Sequence, residues 1–277
     1  MRLSTISQLV RLAKQRMSQK QGHETSNSDM YDQIAHSYDD DYGNIFKRVK
    51  REIDIELRQL PLTSPSIIDV GTGTGENIIL AQRIFGSLGS VYGVDISEKM
   101  LEKAKLKYPP LHPVKASALS IADHVPAGAD LVFIHFLLSY VSIDRLLPQV
   151  ASRLKSGGYI SIASSLFTSW PKGQSLARRF RLDPHSVEQY IPKSSAELRE
   201  KIESAGFIEV DSIEIRKRLI FANTDDLYRF GYEQGWVYQL FDLLQCAGNP
   251  EKFAREWSHV LPFSDEIHIH IGIYRKV

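Results

Sequence analysis

Cysteine, long apolar runs and net charge are all scarce in this chain of 277 residues. The single cysteine, Cys246, excludes a disulfide framework and a zinc site built from cysteines. No apolar run reaches the roughly 18 residues that a membrane-spanning helix needs. Because 34 lysines and arginines balance 33 aspartates and glutamates, no strong field attracts nucleic acid. These absences predict a reduced, cytoplasmic protein without a nucleic-acid partner.

The composition is otherwise that of a globular protein, with 43% apolar and 24% charged residues. The length favours one large domain, or one domain with a sizeable insertion. We predict this domain over residues 30–277, preceded by a separate segment over residues 1–29.

The N-terminal segment is basic up to residue 23, with apolar residues at helical spacing. It lacks the uninterrupted apolar stretch of a signal peptide. Two interpretations remain open: an amphipathic helix that packs on the domain or frays, and a helix that makes weak contact with an anionic membrane surface. The polar residues 19–29 are predicted to be a linker.

Short apolar segments alternate with helical segments through most of the domain. The predicted strands are Ser66–Val70, Ser90–Asp95, Leu111–Ala116, Ala129–His135, Tyr159–Ser164, Phe207–Ile215 and Glu266–Tyr274. The first five are separated by helical patterns, which is typical of βαβ units and a parallel sheet.

A glycine loop, Gly71-Thr72-Gly73-Thr74-Gly75, follows the first strand directly and precedes a helix. Such a loop lets backbone N–H groups approach a ligand closely. The dinucleotide pattern G-x-G-x-x-G is not met, because its third glycine position holds Glu76. A P-loop is excluded, because no Lys-Ser/Thr pair follows the loop.

An acidic residue, Asp95, ends the second strand twenty residues after Gly75. A carboxylate at this place suits the two hydroxyls of an adenosine ribose. The competing interpretation is an acid that caps the following helix.

Together these residues resemble the class I S-adenosylmethionine-dependent methyltransferases, in the branch that acts on small molecules. The matching segments are 69–76 (DVGTGTGE), 93–101 (GVDISEKML), 130–140 (DLVFIHFLLSY), 154–158 (LKSGG) and the entry segment 31–38 (YDQIAHSY). The resemblance implies a Rossmann-like, doubly wound, mostly parallel seven-strand sheet with an antiparallel last strand. It also implies S-adenosylmethionine as cofactor, a small-molecule acceptor as partner, and no metal.

The resemblance also assigns roles to residues around the cofactor. Gly71, Gly73 and Gly75 would pack against its methionine half, and Asp69 would orient its amino group. Asp95 would hold the ribose. The remaining implied cofactor contacts are Tyr38, Ile96, Met100, Ser117, Ala118, His135 and Phe136. Core packing is the competing interpretation for Ile96 and Met100. Residues 116–118 read Ala-Ser-Ala where the family has a Gly-Asp-Ala-like element, so Ser117 replaces the usual acid.

Two insertions, residues 165–193 and 221–262, are predicted to form helical lids over the carboxyl edge of the sheet, where open α/β sheets bind ligands. The aromatic residues of the second insertion form either the core of a small subdomain or an apolar pocket. The predicted substrate contacts are Tyr31, Tyr140, Arg178, Arg179, Tyr228, Tyr232 and Trp236. For the arginines, a solvated surface is the competing interpretation.

Methyl transfer from a sulfonium requires alignment and exclusion of water, and a base only when the acceptor carries a proton of high pKa. The candidate bases are His135 and His185 and, after them, Tyr140; each histidine also admits a purely structural role. We predict transfer to a small organic acceptor, at oxygen before nitrogen or carbon, in specialised biosynthesis. Two alternatives are a lipid, quinone or prenyl-type substrate at a membrane surface, and a non-transfer reaction such as cyclisation.

Overall fold

Seven strands form a single sheet in the order β3-β2-β1-β4-β5-β7-β6. Their bounds are β1 Ile67–Val70, β2 Val91–Asp95, β3 His112–Lys115, β4 Ala129–His135, β5 Leu154–Ser165, β6 Phe207–Phe221 and β7 Phe263–Lys276. Strands β1 to β5 pair in parallel, and β7 pairs antiparallel with β5. The predicted Rossmann-like sheet with an antiparallel last strand is therefore confirmed.

The computed structural model describes residues 23–179, 190–238, 241 and 246–277. Its α-helices are α1 His23–Ile34, α2 Ile45–Leu57, α3 Glu76–Phe85, α4 Glu98–Lys107, α5 Ile121–His124, α6 Ile143–Arg153, α7 Pro171–Arg179, α8 Ser195–Ser204, α9 Thr224–Tyr228 and α10 Pro250–Trp257. A π-helical turn, Arg229–Glu233, follows α9.

The chain divides into two compact units. We call them the sheet unit (residues 44–169, 190–216 and 267–277) and the aromatic unit (described parts of residues 1–43, 170–189 and 217–266). The sheet unit holds β1 to β5 and most of the apolar core.

Apolar side chains on the central strands form the core of the sheet unit. Val132 and Ile134 of β4 and Ile160 and Ile162 of β5 are fully buried in one cluster. The amphipathic helices α6 and α8 pack against the same cluster. Parallel strands covered by helices on their faces are near-continuously apolar, which explains why the sequence segments of β1 and β4 show no polar alternation.

Helix α1 begins at His23, within the stretch predicted to be a linker. Most residues of this helix are polar, but Met30 and Ile34 are apolar and both are buried. For residues 23–29 the linker prediction was wrong, because tertiary burial of the helix outweighs weak intrinsic helix propensity. Residues 19–22 lie outside the described residues. By contrast, Ser97 caps α4 as expected, since its side chain accepts a hydrogen bond from the backbone N–H of Met100.

One buried carboxyl group opposes folding. Glu56 on α2 is 4% exposed, and neither of its carboxylate oxygens has a hydrogen-bond partner among the described residues. Burial, with the nearby charges of Asp211 and Glu52, raises the pKa of Glu56 to about 8. The folded protein therefore binds this proton more tightly than the unfolded chain, so stability is lost as pH rises from about 4.5 towards 8.

We predict that Glu56→Gln removes this pH dependence. At about 1.4 kcal/mol per pKa unit, the free energy of unfolding of the wild type should fall by several kcal/mol between pH 5 and pH 9 relative to Glu56→Gln. Urea unfolding at several pH values measures the difference. The exposed Glu102→Gln is the matched control, and parallel curves for the wild type and Glu56→Gln would contradict the assignment.

Candidate functional site

The glycine loop lies between the carboxyl end of β1 and the start of α3. Its backbone is attached to β2, because the N–H groups of Gly71 and Thr72 donate to the carbonyl of Val94 at 2.8 and 3.0 Å. Gly75 has a φ of +83°, and a Cβ there would lie 3.0 Å from the backbone of Ala104 on α4. Only glycine therefore permits both this backbone conformation and this close packing.

Asp95 connects the end of β2 to the glycine loop. Its Oδ2 accepts the backbone N–H of Gly73, and its Oδ1 accepts that of Ser97, both at 2.9 Å. The second bond matches the interpretation of Asp95 as an acid at the start of the next helix. The ribose role of Asp95 stays a prediction.

Asp69 is completely buried two residues before the loop. Its Oδ2 accepts the hydroxyl of Thr72 at 2.8 Å, and its Oδ1 accepts the side-chain amide of Asn77 at 3.1 Å. Burial raises the pKa of Asp69 to about 6, and the two hydrogen bonds oppose that rise.

His135 ends β4 beside this carboxylate network. Its Nδ1 lies 2.8 Å from Oδ1 of Asn77, and its Nε2 lies 2.9 Å from Oγ of Ser161. Burial lowers the pKa of His135 to about 3, so the ring is neutral near pH 7. Both nitrogens are hydrogen-bonded inside the protein, and the structure therefore gives no support to His135 as the base.

Phe136 follows with a φ of +54°, which is unusual for a residue with a side chain. Its backbone N–H donates to the carbonyl of Ala163 at 2.7 Å, and its ring packs edge-on against Phe46. This conformation turns the chain sharply at the carboxyl end of β4. Tyr140 lies partly exposed in the turn that follows.

The predicted adenine contacts fall into two groups. Ile96 is partly exposed at the end of β2, whereas Met100 is buried within α4, as core packing would require. Ser117 caps the short helical turn Ala118–Ser120 by accepting the backbone N–H of Leu119 at 3.3 Å. Ala118 packs into the core of the sheet unit.

A second polar network lies at the carboxyl end of β5. The hydroxyl of Thr168 is 2.6 Å from Nδ1 of His268 on β7, and Nε2 of His268 is 2.7 Å from Oε2 of Glu214 on β6. His268 is buried, whereas Thr168 and Glu214 are exposed. This network was not predicted from the sequence. The available signal was two histidines on one face of a strand whose other face is isoleucine.

In the aromatic unit, Tyr228 and Phe230 are buried. Tyr228 packs with Tyr232, and Phe230 stacks on Trp236 with ring centroids 5.6 Å apart. The interpretation of these aromatics as the core of a small subdomain therefore holds. Tyr31 and Tyr38 also belong to this unit, where their rings meet edge-on.

Several predicted residues lie outside the described part of the chain. They are His185, residues 1–22, and the side chains of Arg178 and Arg179. Within the described residues, no group of three or more metal-ligating side chains is found. None of the described helices is both long enough and apolar enough to cross a bilayer.

A family model for a methyltransferase domain matches residues 67–158, from β1 into β5. This match covers the glycine loop, both carboxylates and His135. The chain therefore contains a methyltransferase domain over these residues. The protein is a methyltransferase, and S-adenosylmethionine is the cofactor that the comparisons support.

Two curated relatives match parts of the methyltransferase. It is 26% identical over 151 residues to a probable cobalt-precorrin-6B C(15)-methyltransferase (decarboxylating) of Sulfurisphaera tokodaii, covering 50% of this chain and 76% of that protein. It is 30% identical over 109 residues to a trans-aconitate 2-methyltransferase of Paracidovorax citrulli, covering 38% of this chain and 41% of that protein.

The fold also resembles that of a solved S-adenosylmethionine-dependent methyltransferase from Thiobacillus denitrificans in complex with S-adenosylhomocysteine. The TM-score is 0.55 at 12% identity, with 88% of this chain and 97% of that chain covered. At this identity the likeness concerns the fold alone.

We predict that Asp95→Asn weakens S-adenosylhomocysteine binding about 10- to 100-fold, because a hydrogen bond to a charged group contributes about 1.5–3 kcal/mol. Isothermal titration calorimetry measures this loss. Glu98→Gln, at an exposed position three residues later, is the matched control and should bind normally. Unchanged affinity of Asp95→Asn would refute the ribose assignment.

Proposed function

We propose that this methyltransferase transfers a methyl group to a small organic acceptor, at oxygen before nitrogen or carbon, in a cytoplasmic biosynthetic pathway. The observation that carries the proposal is the glycine loop between two carboxylates, Asp69 and Asp95, at the ends of adjacent strands. The names of the two curated relatives, which specify a cobalt-precorrin and trans-aconitate, support a small molecule as acceptor.

In this proposal Asp95 holds the ribose and Asp69 holds the amino group of the cofactor. Bound S-adenosylmethionine supplies a methyl group on an already activated sulfonium. The protein therefore contributes alignment of the acceptor and exclusion of water rather than bond activation.

An acceptor with a protonated hydroxyl needs a group that takes up the proton. We propose the Thr168–His268–Glu214 network for this role, in place of His135. With a single ring proton of His268 on Nε2, donated to Glu214, the Nδ1 lone pair is directed at the hydroxyl of Thr168. A proton from the acceptor can then pass to the Thr168 oxygen while Thr168 passes its own proton to Nδ1.

The membrane-surface alternative rests on residues 1–23, nearly all of which lie outside the described residues. The cyclisation alternative predicts cofactor binding without methyl transfer.

The first experiment is calorimetric titration with S-adenosylmethionine and S-adenosylhomocysteine, which we expect to bind with micromolar affinity. Methyl-labelled S-adenosylmethionine is then offered with a panel of carboxylic acids including trans-aconitate, phenols and amines. Label in an organic product is the expected result. Binding without transfer to any class would favour the non-transfer alternative, and absence of binding by folded protein would contradict the proposal.

The panel also tests the proton-accepting network. We predict that Thr168→Val slows methylation of phenols about 100- to 10,000-fold, the scale of general base catalysis, while carboxylate acceptors, which carry no proton at pH 7, react as before. Thr168→Ser restores the hydroxyl and should restore the rate. Equal slowing of phenols and carboxylates would assign Thr168 a structural role only.

A further inference from the structure

A continuous row of hydrogen bonds runs across three strands and one helix to Asp69. It starts at the hydroxyl of Ser161 on β5, continues through the ring of His135 on β4 and the amide of Asn77 on α3, and ends at Oδ1 of Asp69 on β1. The successive distances are 2.9, 2.8 and 3.1 Å. All four side chains belong to the sheet unit.

The donors and acceptors in this row can be assigned in only one consistent way while Asp69 is ionised. Asn77 donates its Nδ2–H to the carboxylate, so its Oδ1 must accept the Nδ1–H of His135. A neutral ring with its proton on Nδ1 carries a lone pair on Nε2. Ser161 therefore donates its hydroxyl to Nε2, and every hydrogen in the row is directed towards Asp69.

The second carboxylate oxygen of Asp69 is held from the other side by Thr72 of the glycine loop. Two bonds to two different oxygens prevent the carboxylate from rotating. No lysine or arginine of the described residues forms a salt bridge with Asp69, and the like charge of Asp95 acts on it. A fully buried carboxylate with only neutral donors is strongly attracted to a cationic ligand.

We propose that Asn77, His135 and Ser161 are positioning residues that keep Asp69 ionised and oriented towards the ammonium group of the cofactor's amino-acid end. This inference rests on the proposed binding of the cofactor amino group by Asp69. It gives His135 a role through Asn77 rather than a role as a base in the reaction.

The pKa of Asp69, about 6, supports the same picture. The titratable groups that face Asp69 are Asp95 from β2 and, through Asn77, His135 from β4. Loss of the Asn77 hydrogen bond would raise the pKa of Asp69 further, because that bond stabilises the charged form. As the pH falls, Asp69 should therefore become protonated and lose a ligand ammonium at a higher pH when the Asn77 hydrogen bond is absent than when it is present.

The test compares two ligands that share an adenosine and a sulfur atom. S-adenosylhomocysteine carries the amino-acid end, whereas 5′-methylthioadenosine lacks it. In calorimetric titrations at pH 7.5, we expect Asn77→Leu to weaken S-adenosylhomocysteine at least about tenfold and 5′-methylthioadenosine less than about twofold. Ser161→Ala should weaken only S-adenosylhomocysteine, by a smaller factor. Ser152→Ala, which removes an exposed hydroxyl, is the matched control and should change neither ligand.

A pH series measures the pH at which S-adenosylhomocysteine affinity is lost, and a purely structural role of Asn77 would leave that pH unchanged. The wild type should lose affinity for S-adenosylhomocysteine as pH falls through about 6, and Asn77→Leu should lose it at a higher pH. Binding of 5′-methylthioadenosine should be flat over this range in both proteins.

Equal loss of both ligands in Asn77→Leu and Ser161→Ala, or no loss of either, would overturn the inference. Should Asn77→Leu fail to fold, as judged by thermal unfolding, Ser161→Ala alone decides, because it removes one hydroxyl and creates little empty space. Failure of the folded wild type to bind S-adenosylhomocysteine at all would instead contradict the proposed function.

Discussion

The arrangement of the carboxyl edge depends on one buried charge, the carboxylate of Asp69. Burying an ionised group without partners costs far more than one hydrogen bond contributes, so the surrounding chain must supply donors. Thr72 supplies one from the glycine loop, and Asn77 supplies the other from α3. The same charge therefore fixes the start of a helix and the end of a strand, and through His135 it also fixes the neighbouring strands β4 and β5.

The second carboxylate, Asp95, follows from the topology. Strands β1 and β2 are adjacent and parallel, so their carboxyl ends meet at the same edge, and the glycine loop crosses from one to the other. Asp95 accepts a loop N–H, while the loop donates other N–H groups to the carbonyl of Val94. Backbone and side chain thus hold the loop in a single conformation before any ligand binds, which reduces the entropy lost on binding.

Much of this edge could be predicted from sequence, because the information is local. The glycine loop, Asp69 and Asp95 each adjoin a strand end, and a motif within a few residues identifies them. The contacts of His135 could not be predicted, because Asn77 and Ser161 lie 58 and 26 residues away and are brought together only by strand order and register. Met100 was ambiguous for a related reason: a methionine on the inner face of α4 packs into the core as readily as onto a ligand.

The network around His268 was missed for a different reason. The alternating pattern of its strand already has a structural explanation, so the histidines did not call for a functional one. Strict alternation over Glu266–Tyr274 predicts this strand without any function, and nothing local links His268 to Thr168, 100 residues earlier, or to Glu214. Burial separates the two histidine networks chemically. His135 exchanges hydrogen bonds only with buried or partly buried groups and ends on a fixed charge, so moving its proton would leave an unsatisfied group inside the protein. His268 lies between two exposed groups, a hydroxyl and a carboxylate, and a proton that enters at one end can leave at the other. A network that ends on a buried charge suits the holding of that charge, whereas a network that ends on exposed groups suits the transfer of a proton.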